Sequence, residues 1–349
     1  MKTIGMKFKL FISLIIFVLP FLNLFGQTPT FEKCDCPFDI SKIKAESIWC
    51  GKLKVPENRE VVGGRMLEIM FSVIEPENPK PNPIVLMPGG PGVPPVANRV
   101  LPIVHSIMPS DHTFIVFDPR GTGLSDPEMC KEQRTARAII SSMDLSLEEE
   151  RLMYKGAMLA CRSSLKLDGI DINQYNSVTI AQDVHDLMNV LGYDKWNIFG
   201  GSYGVPHARM AMRLYPEEIN SVVISNGADL NMMDFLKYDR RAMHNALQDV
   251  ANRCKQNKDC NARFPNIEQA FYDTYNWLKE EPLTIEVSQD EFEFPNFTFN
   301  SHEFVTFIYH QLFYENEIIH LPAVLHAFAN RDLGFIKKLI EYEYGSPST

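Results

Sequence analysis

Three short apolar runs in this chain pass directly into glycine-rich loops, and that pattern limits the fold more than any other feature. Ile84–Met87 leads into Pro88-Gly89-Gly90-Pro91-Gly92, and residues 114–117 (FIVF) lead into Asp118-Pro119-Arg120-Gly121-Thr122-Gly123-Leu124-Ser125. Residues 195–199 (KWNIF) lead into Gly200-Gly201-Ser202-Tyr203-Gly204. Short continuous apolar strands separated by helices are buried on both faces, so they predict a mostly parallel sheet with helices on either side. In such sheets ligands and chemistry gather in the loops at the strand carboxyl ends, where all three glycine loops fall. The 349 residues are 45% hydrophobic and 22% charged, which supplies a sizeable core and excludes disordered and collagen-like chains. A net charge of −10 repels phosphate backbones, so nucleic acid is excluded as an expected partner.

The remaining periodicities complete the outline. Residues 51–55 read as a strand, and residues 65–74 alternate with Leu67, Ile69, Phe71 and Val73 on one side. Gly63-Gly64 between them predicts an antiparallel hairpin. The Pro-rich segment 75–83 reads as a surface connector, and residues 134–167 as mostly helical. Thr179 and Gln182 suit a capping box opening a helix. Ile180, Val184, Leu187, Met188 and Leu191 then share one face, and Gly192 ends the helix. A helix through Arg213 follows the third glycine loop, and Ile219–Ser225 forms one more strand. After Asn226 the character changes: 230–280 and 301–341 read as helical, with a possible hairpin in 283–299. The expected division is a signal peptide (1–26), an α/β core (27–229) and a mainly helical cap (230–349). A sheet ending at 219–225 leaves an edge exposed.

Lys2, Lys7 and Lys9 precede an apolar run from Leu10 to Phe25, broken by Pro20 and Asn23 and followed by Gly26-Gln27. This is the pattern of a cleaved secretory signal, and the run falls short of the ~20 residues that a spanning helix requires. The expected location is therefore the periplasm or the extracellular space, with no stable membrane span after cleavage. Export permits disulfides. Cys254 with Cys260 and Cys130 with Cys161 are the expected pairs; Cys50 takes Cys36 or Cys34, leaving one thiol over. No second ligand pair accompanies Cys34-Asp35-Cys36, so no metal is expected.

The chemistry centres on Ser202. Gly200-Gly201-Ser202-Tyr203-Gly204 fits G-x-S-x-G with a strand before it and a helix after it. A serine on that sharp turn exposes its hydroxyl, and the following helix aims N–H groups at a developing oxyanion. The Tyr203 N–H is one candidate donor. Gly90 is the other, because Pro91 has no N–H. Asp118 and Arg120 are read as a pair that fixes their loop beside the site.

Taken together, PGGPG, DPRGTGLSD, GGSYG with PEEINSVVISNG, the early CGKLKVPEN and the late LPAVLHAFANRDLGFIKKL resemble the proline iminopeptidase and tripeptidyl-aminopeptidase-like branch of the α/β-hydrolases. The resemblance spans most of residues 50–340. It implies an α/β-hydrolase sheet with a helical cap and a serine peptidase that removes residues from peptide N-termini through an acyl-enzyme. It implies no metal or organic cofactor. Ser202 would be the nucleophile, with Gly90 and Tyr203 as oxyanion donors. Pro88 stands where the family usually has His, and Val205 replaces a frequent small residue. The family's triad acid and base follow later strands, and no such Asp–His pair is recognisable after Asn226. His244, His302, His310, His320 and His326 fall in cap-like segments. The expectation is thus a C-terminally truncated hydrolase, with its last strands missing and inactive as written. Asp229 and Asp234 are near enough to ask whether they hold a substrate α-amino group. An esterase, or a non-catalytic binding protein on the same scaffold, stays open, with a peptide or small molecule as partner. Asn296-Phe297-Thr298 is a glycosylation sequon only in a glycosylating host.

Overall fold

The computed structural model describes residues 28–97, 111–227, 232–287 and 295–344, apart from positions 44, 131, 132, 134, 135, 138 and 141. The signal segment and Asp229 lie outside the described residues, as does the side chain of Asp234.

Seven strands form one sheet: β1 (Thr30–Cys34), β2 (Ser47–Pro56), β3 (Met66–Glu75), β4 (Lys80–Met87), β5 (His112–Phe117), β6 (Trp196–Gly201) and β7 (Ile219–Ser225). Their spatial order is β1-β2-β3-β5-β4-β6-β7. β2 and β3 make the expected antiparallel hairpin, with Leu53 opposite Ile69. The strands that carry the glycine loops, β5, β4 and β6, run parallel, and β7 continues them at the edge. All three loops therefore emerge at one end of the sheet.

Alternation assigns the two faces. Val85, Met87, Ile115, Phe117, Trp196 and Ile198 pack with Val184, Leu187 and Met188 of α2 (Ser177–Val190) and Ala208 and Ala211 of α3 (Gly204–Leu214). Leu86, Phe114 and Val116 point to the other face, against Met70, Ile74 and Val96. Burial contributes about 1.5–3 kcal/mol per large side chain, so packing rather than propensity holds the helices on the sheet. At the edge of the described sheet, Val223 and Ile224 of β7 stay about half exposed (56% and 48%).

Two local expectations are corrected. β4 begins at Lys80, inside the Pro-rich connector. Lys80 pairs with His112 and Ile84 with Phe114, so the strand bulges between them, with Asn82 at φ 68°. The bulge absorbs prolines that cannot donate to a ladder, and the Asn197 amide donates to the Asn82 carbonyl at 2.8 Å. The α2 cap is Asn176 rather than Thr179. Asn176 Oδ1 accepts from Val178 N (2.9 Å) and Thr179 N (3.2 Å), and Thr179 is the reciprocating third residue. Asparagine three residues upstream satisfies the first orphan amides, so the helix starts earlier.

The helical stretch before α2 resolves into α1 (Leu147–Leu167), opened by a Ser146–Glu149 capping box. Beyond β7 come α4 (Met232–Gln256), α5 (Lys258–Arg263), α6 (Ile267–Glu280), β8 (Leu283–Glu286), β9 (Asn296–Phe299), α7 (Ser301–Gln311), α8 (Glu315–Ile318), α9 (Leu321–Ala329) and α10 (Leu333–Tyr344). The β8–β9 hairpin is antiparallel. These elements build their own core around Phe299, Phe304, Phe307 and Phe328. His302 Nε2 lies 2.7 Å from Glu150 Oε1, tying this core to α1.

Disulfides join Cys36–Cys50, Cys130–Cys161 and Cys254–Cys260, and Cys34 is free. The second and third are the expected pairs, and Cys50 takes Cys36. No helix among the described residues is long and apolar enough to cross a membrane.

Candidate active site

β6 ends at Gly201 and α3 begins at Gly204, so the chain must reverse direction within Ser202 and Tyr203. Ser202 does so in the left-handed region, at φ 51°. For a residue with a Cβ this costs about 1–3 kcal/mol and persists only where the surroundings impose it. They do: Ser202 N–H donates to the Ser225 carbonyl of β7 (3.0 Å), and Ser202 O accepts from Val205 N (3.2 Å). The serine is exposed.

Close approach requires glycine at Gly204 and leaves little room at Gly200, the motif's two outer glycines. A methyl at Gly204 would sit 2.8 Å from the Met87 carbonyl carbon, closer still to its oxygen, and 3.1 Å from Pro88 O. A methyl at Gly200 would lie 3.1 Å from Ala208 Cβ. Gly201, between them, faces open space. The helix start is thus pressed against the junction of β4 with the PGGPG loop.

That loop lies against the serine. A methyl on Gly89 would be 3.2 Å from Ser202 Cβ and 3.7 Å from Ser202 Oγ. The Gly89 carbonyl accepts from Val93 N (3.3 Å), which closes the turn, and Gly90 is exposed at its crest. On the other side Tyr203 caps α3, whose first amides have no intrahelical acceptor. The structure therefore brings Ser202, Tyr203 and the Gly89-Gly90 turn together at one edge.

Asp118 and Arg120 do brace their loop, but not by pairing with each other. Asp118, fully buried, accepts from Val96 N (2.7 Å), Ala97 N (3.2 Å) and Leu124 N (3.1 Å). It thereby ties the segment after PGGPG to its own loop. Burial raises its pKa, opposed by those backbone amides. Arg120 instead makes a two-point contact with Asp183 of α2, Nε to Oδ2 at 2.7 Å and Nη2 to Oδ1 at 2.6 Å. Its Nη1 donates to the carbonyls of Glu57 (2.8 Å) and Gln174 (2.9 Å). Guanidinium geometry matches a carboxylate on a neighbouring helix better than one two residues away in the same turn.

Two buried polar residues were missed in the sequence reading. Asp183 falls on the apolar face of α2 with Ile180, Val184 and Leu187, and a charge there is the signal that its partner is buried too. His207 sits on the inner face of α3 with Ala208 and Ala211. It is 4% exposed, and its ring meets Tyr203 edge-on at 5.5 Å. Its Nδ1 is buried with no hydrogen-bond partner among the described residues. Burial pushes its pKa down to about 4.

Among the described residues no histidine is hydrogen-bonded to Ser202, and no group of His, Cys, Asp or Glu is placed to hold a metal ion. His302 faces Glu150, and His326 meets Phe264 at 5.5 Å.

Residues 82–278 match the family model described as the alpha/beta hydrolase fold. Serine protease Hip1 of Mycobacterium tuberculosis is 22% identical over 244 residues, covering 67% of this chain and 46% of that protein. The chain thus spans less than half the length of that curated relative. Similar solved structures include proline iminopeptidase from Mycobacterium smegmatis (16% identity, TM-score 0.34, covering 77% of this chain and 69% of that one). Another is juvenile hormone epoxide hydrolase from Bombyx mori (14% identity, TM-score 0.30, covering 80% and 58%). With the matched segment running from β4 through the serine turn into α6, the chain belongs to the α/β-hydrolase fold family.

Proposed function

We propose that this is an exported serine hydrolase that removes residues from peptide N-termini, with Ser202 as nucleophile and the Gly90 and Tyr203 amides as oxyanion donors. The observation that carries the reading is the exposed Ser202 hydroxyl, held in a left-handed turn between β6 and α3 and against Gly89. The serine protease relative supports the reaction class. The disulfides and the basic-then-apolar N-terminal segment support export.

In this reading Ser202 Oγ bonds to the scissile carbonyl carbon, and the oxygen charge falls on the two amides. The C–N bond breaks, the amine leaves with a proton, and water cleaves the resulting ester. The proton of Ser202 must pass to a base, and that residue and its acid partner are unassigned. Without them the hydroxyl is a poor nucleophile, and any residual rate comes from binding and the oxyanion hole.

The test compares an aminoacyl anilide bearing a free α-amino group, its N-acetyl derivative and a simple aryl ester, each with wild type and Ser202→Ala. Preference for the free amine, lost in the variant, supports the reading. Ester turnover alone assigns an esterase. Turnover equal in the variant, or no turnover together with no fluorophosphonate adduct on Ser202, overturns it in favour of a binding protein.

A further inference from the structure

A cavity of about 260 Å³ lies beside the serine turn, between the PGGPG loop, the Pro119–Thr122 turn and the starts of α2 and α3. Gly92 and Tyr203 both line it, so it adjoins the two stretches that carry the candidate oxyanion amides. Apolar cavities of ~150 Å³ hold a benzene ring, so this one has room for a ring or a branched aliphatic group with a polar substituent.

Most polar side chains around it are already engaged within the protein. Arg120 is committed to Asp183 and to carbonyls. The Tyr175 hydroxyl donates to Glu57 Oε1 at 2.6 Å, and Thr122 Oγ1 donates to Pro119 O at 2.7 Å. Asn176 is spent on capping α2 and on Asn173 O. Of the two buried polar residues in the lining, Arg120 and His207, only His207 keeps a ring nitrogen with no partner among the described residues. A desolvated, unmatched nitrogen is unfavourable; Nδ1 is closed to solvent, and a turn of the ring that presents it to the cavity lets a ligand group recover that loss.

We infer that this cavity is a substrate subsite for an uncharged, mainly apolar group carrying a hydrogen-bonding atom, and that His207 is its specificity-determining residue. The occupant is the side chain or acyl part of the substrate attacked at Ser202, so the inference rests on the proposed hydrolase reading. With its imidazole held neutral down to about pH 4, His207 offers one donor and one acceptor and no charge. A carboxylate or ammonium in the same space would meet no charged lining side chain free to pair with it, since Arg120 is already matched by Asp183.

The test uses benzamide, benzoate and benzylamine at pH 7, read by the ¹H–¹³C resonance of the His207 ring in the full chain. Benzamide is expected to shift that resonance saturably, and the charged analogues to bind at least about 10-fold more weakly. His207→Phe, which keeps the ring and removes both nitrogens, is expected to weaken benzamide about 10-fold by equilibrium dialysis. Ile180→Phe, which enlarges another lining side chain, is expected to fill the cavity and abolish binding. An unmoved His207 resonance, equal binding by benzoate, or unchanged affinity in both variants overturns the proposal. Ser202→Ala separates the two claims, since it removes the nucleophile and leaves the cavity. If fluorophosphonate fails to label Ser202 while benzamide still moves His207, the hydrolase reading falls and the cavity stands. Labelling without a benzamide shift has the opposite meaning.

Discussion

The sharpest structural prediction concerns two glycines three residues apart. In Gly204→Ala the new methyl would stand 2.8 Å from the Met87 carbonyl carbon and 3.1 Å from Pro88 O. Both are backbone atoms of β4 and its loop, so no rotamer change relieves the overlap. Either α3 or the PGGPG loop must retreat. Overpacking of this kind costs about 1–3 kcal/mol, and with rigid backbone on both sides we expect about 3 kcal/mol. At ~2–4 °C per kcal/mol for a chain of this size, the melting midpoint falls by about 6–12 °C. Gly201→Ala is the internal control, because its methyl meets nothing within 4 Å. There the lost backbone freedom of the unfolded chain leaves stability unchanged or raises it by up to ~1 kcal/mol. Differential scanning calorimetry at one fixed scan rate compares the three proteins. If the two alanine variants melt together, the close contact between the α3 start and the β4 end is not what holds the serine turn.

Asp183→Ala leaves the fully buried Arg120 guanidinium without its carboxylate, which should cost about 3–5 kcal/mol by urea denaturation, with Asp183→Asn milder. For His207 the unfolded chain takes up a proton below about pH 6.5, while the folded protein resists until about pH 4, so stability falls as pH drops through that window. The wild-type-minus-His207→Phe difference in unfolding free energy should change by about 3 kcal/mol between pH 7 and pH 4, and a flat difference refutes the buried neutral imidazole. Asn176→Ala should cost about 1 kcal/mol through the lost α2 cap, read from the denaturation midpoint. Under denaturing, non-reducing conditions a thiol reagent should modify Cys34 alone.

The legible parts were those set by local pattern. The 65–74 alternation, the apolar runs before glycine loops and the α2 face are periodic signals that burial enforces, and each fell within an element of the expected kind. The serine turn was readable because a strand, G-x-S-x-G and a helix are consecutive in sequence. What escaped depended on partners far along the chain. Arg120 could be seen to need a carboxylate, but only the packing of α2 beside the loop selects Asp183, 63 residues away, over Asp118. The bulge in β4 was hidden because Pro81 and Pro83 argue locally against a strand, and the long-range amide of Asn197 satisfies the bulged carbonyls. His207 looked like an ordinary helix residue until the cavity beside it was formed by loops from three strands.

Ser202, as proposed, is an exposed nucleophile set beside the Gly90 and Tyr203 amides. Treatment of the chain with an alkyl fluorophosphonate, followed by peptide mass spectrometry, tests it directly. Adduct is expected on Ser202 and on no other serine, formed slowly because no imidazole among the described residues is bonded to it, and absent from Ser202→Ala. Adduct distributed over other serines, or undiminished in Ser202→Ala, would contradict it.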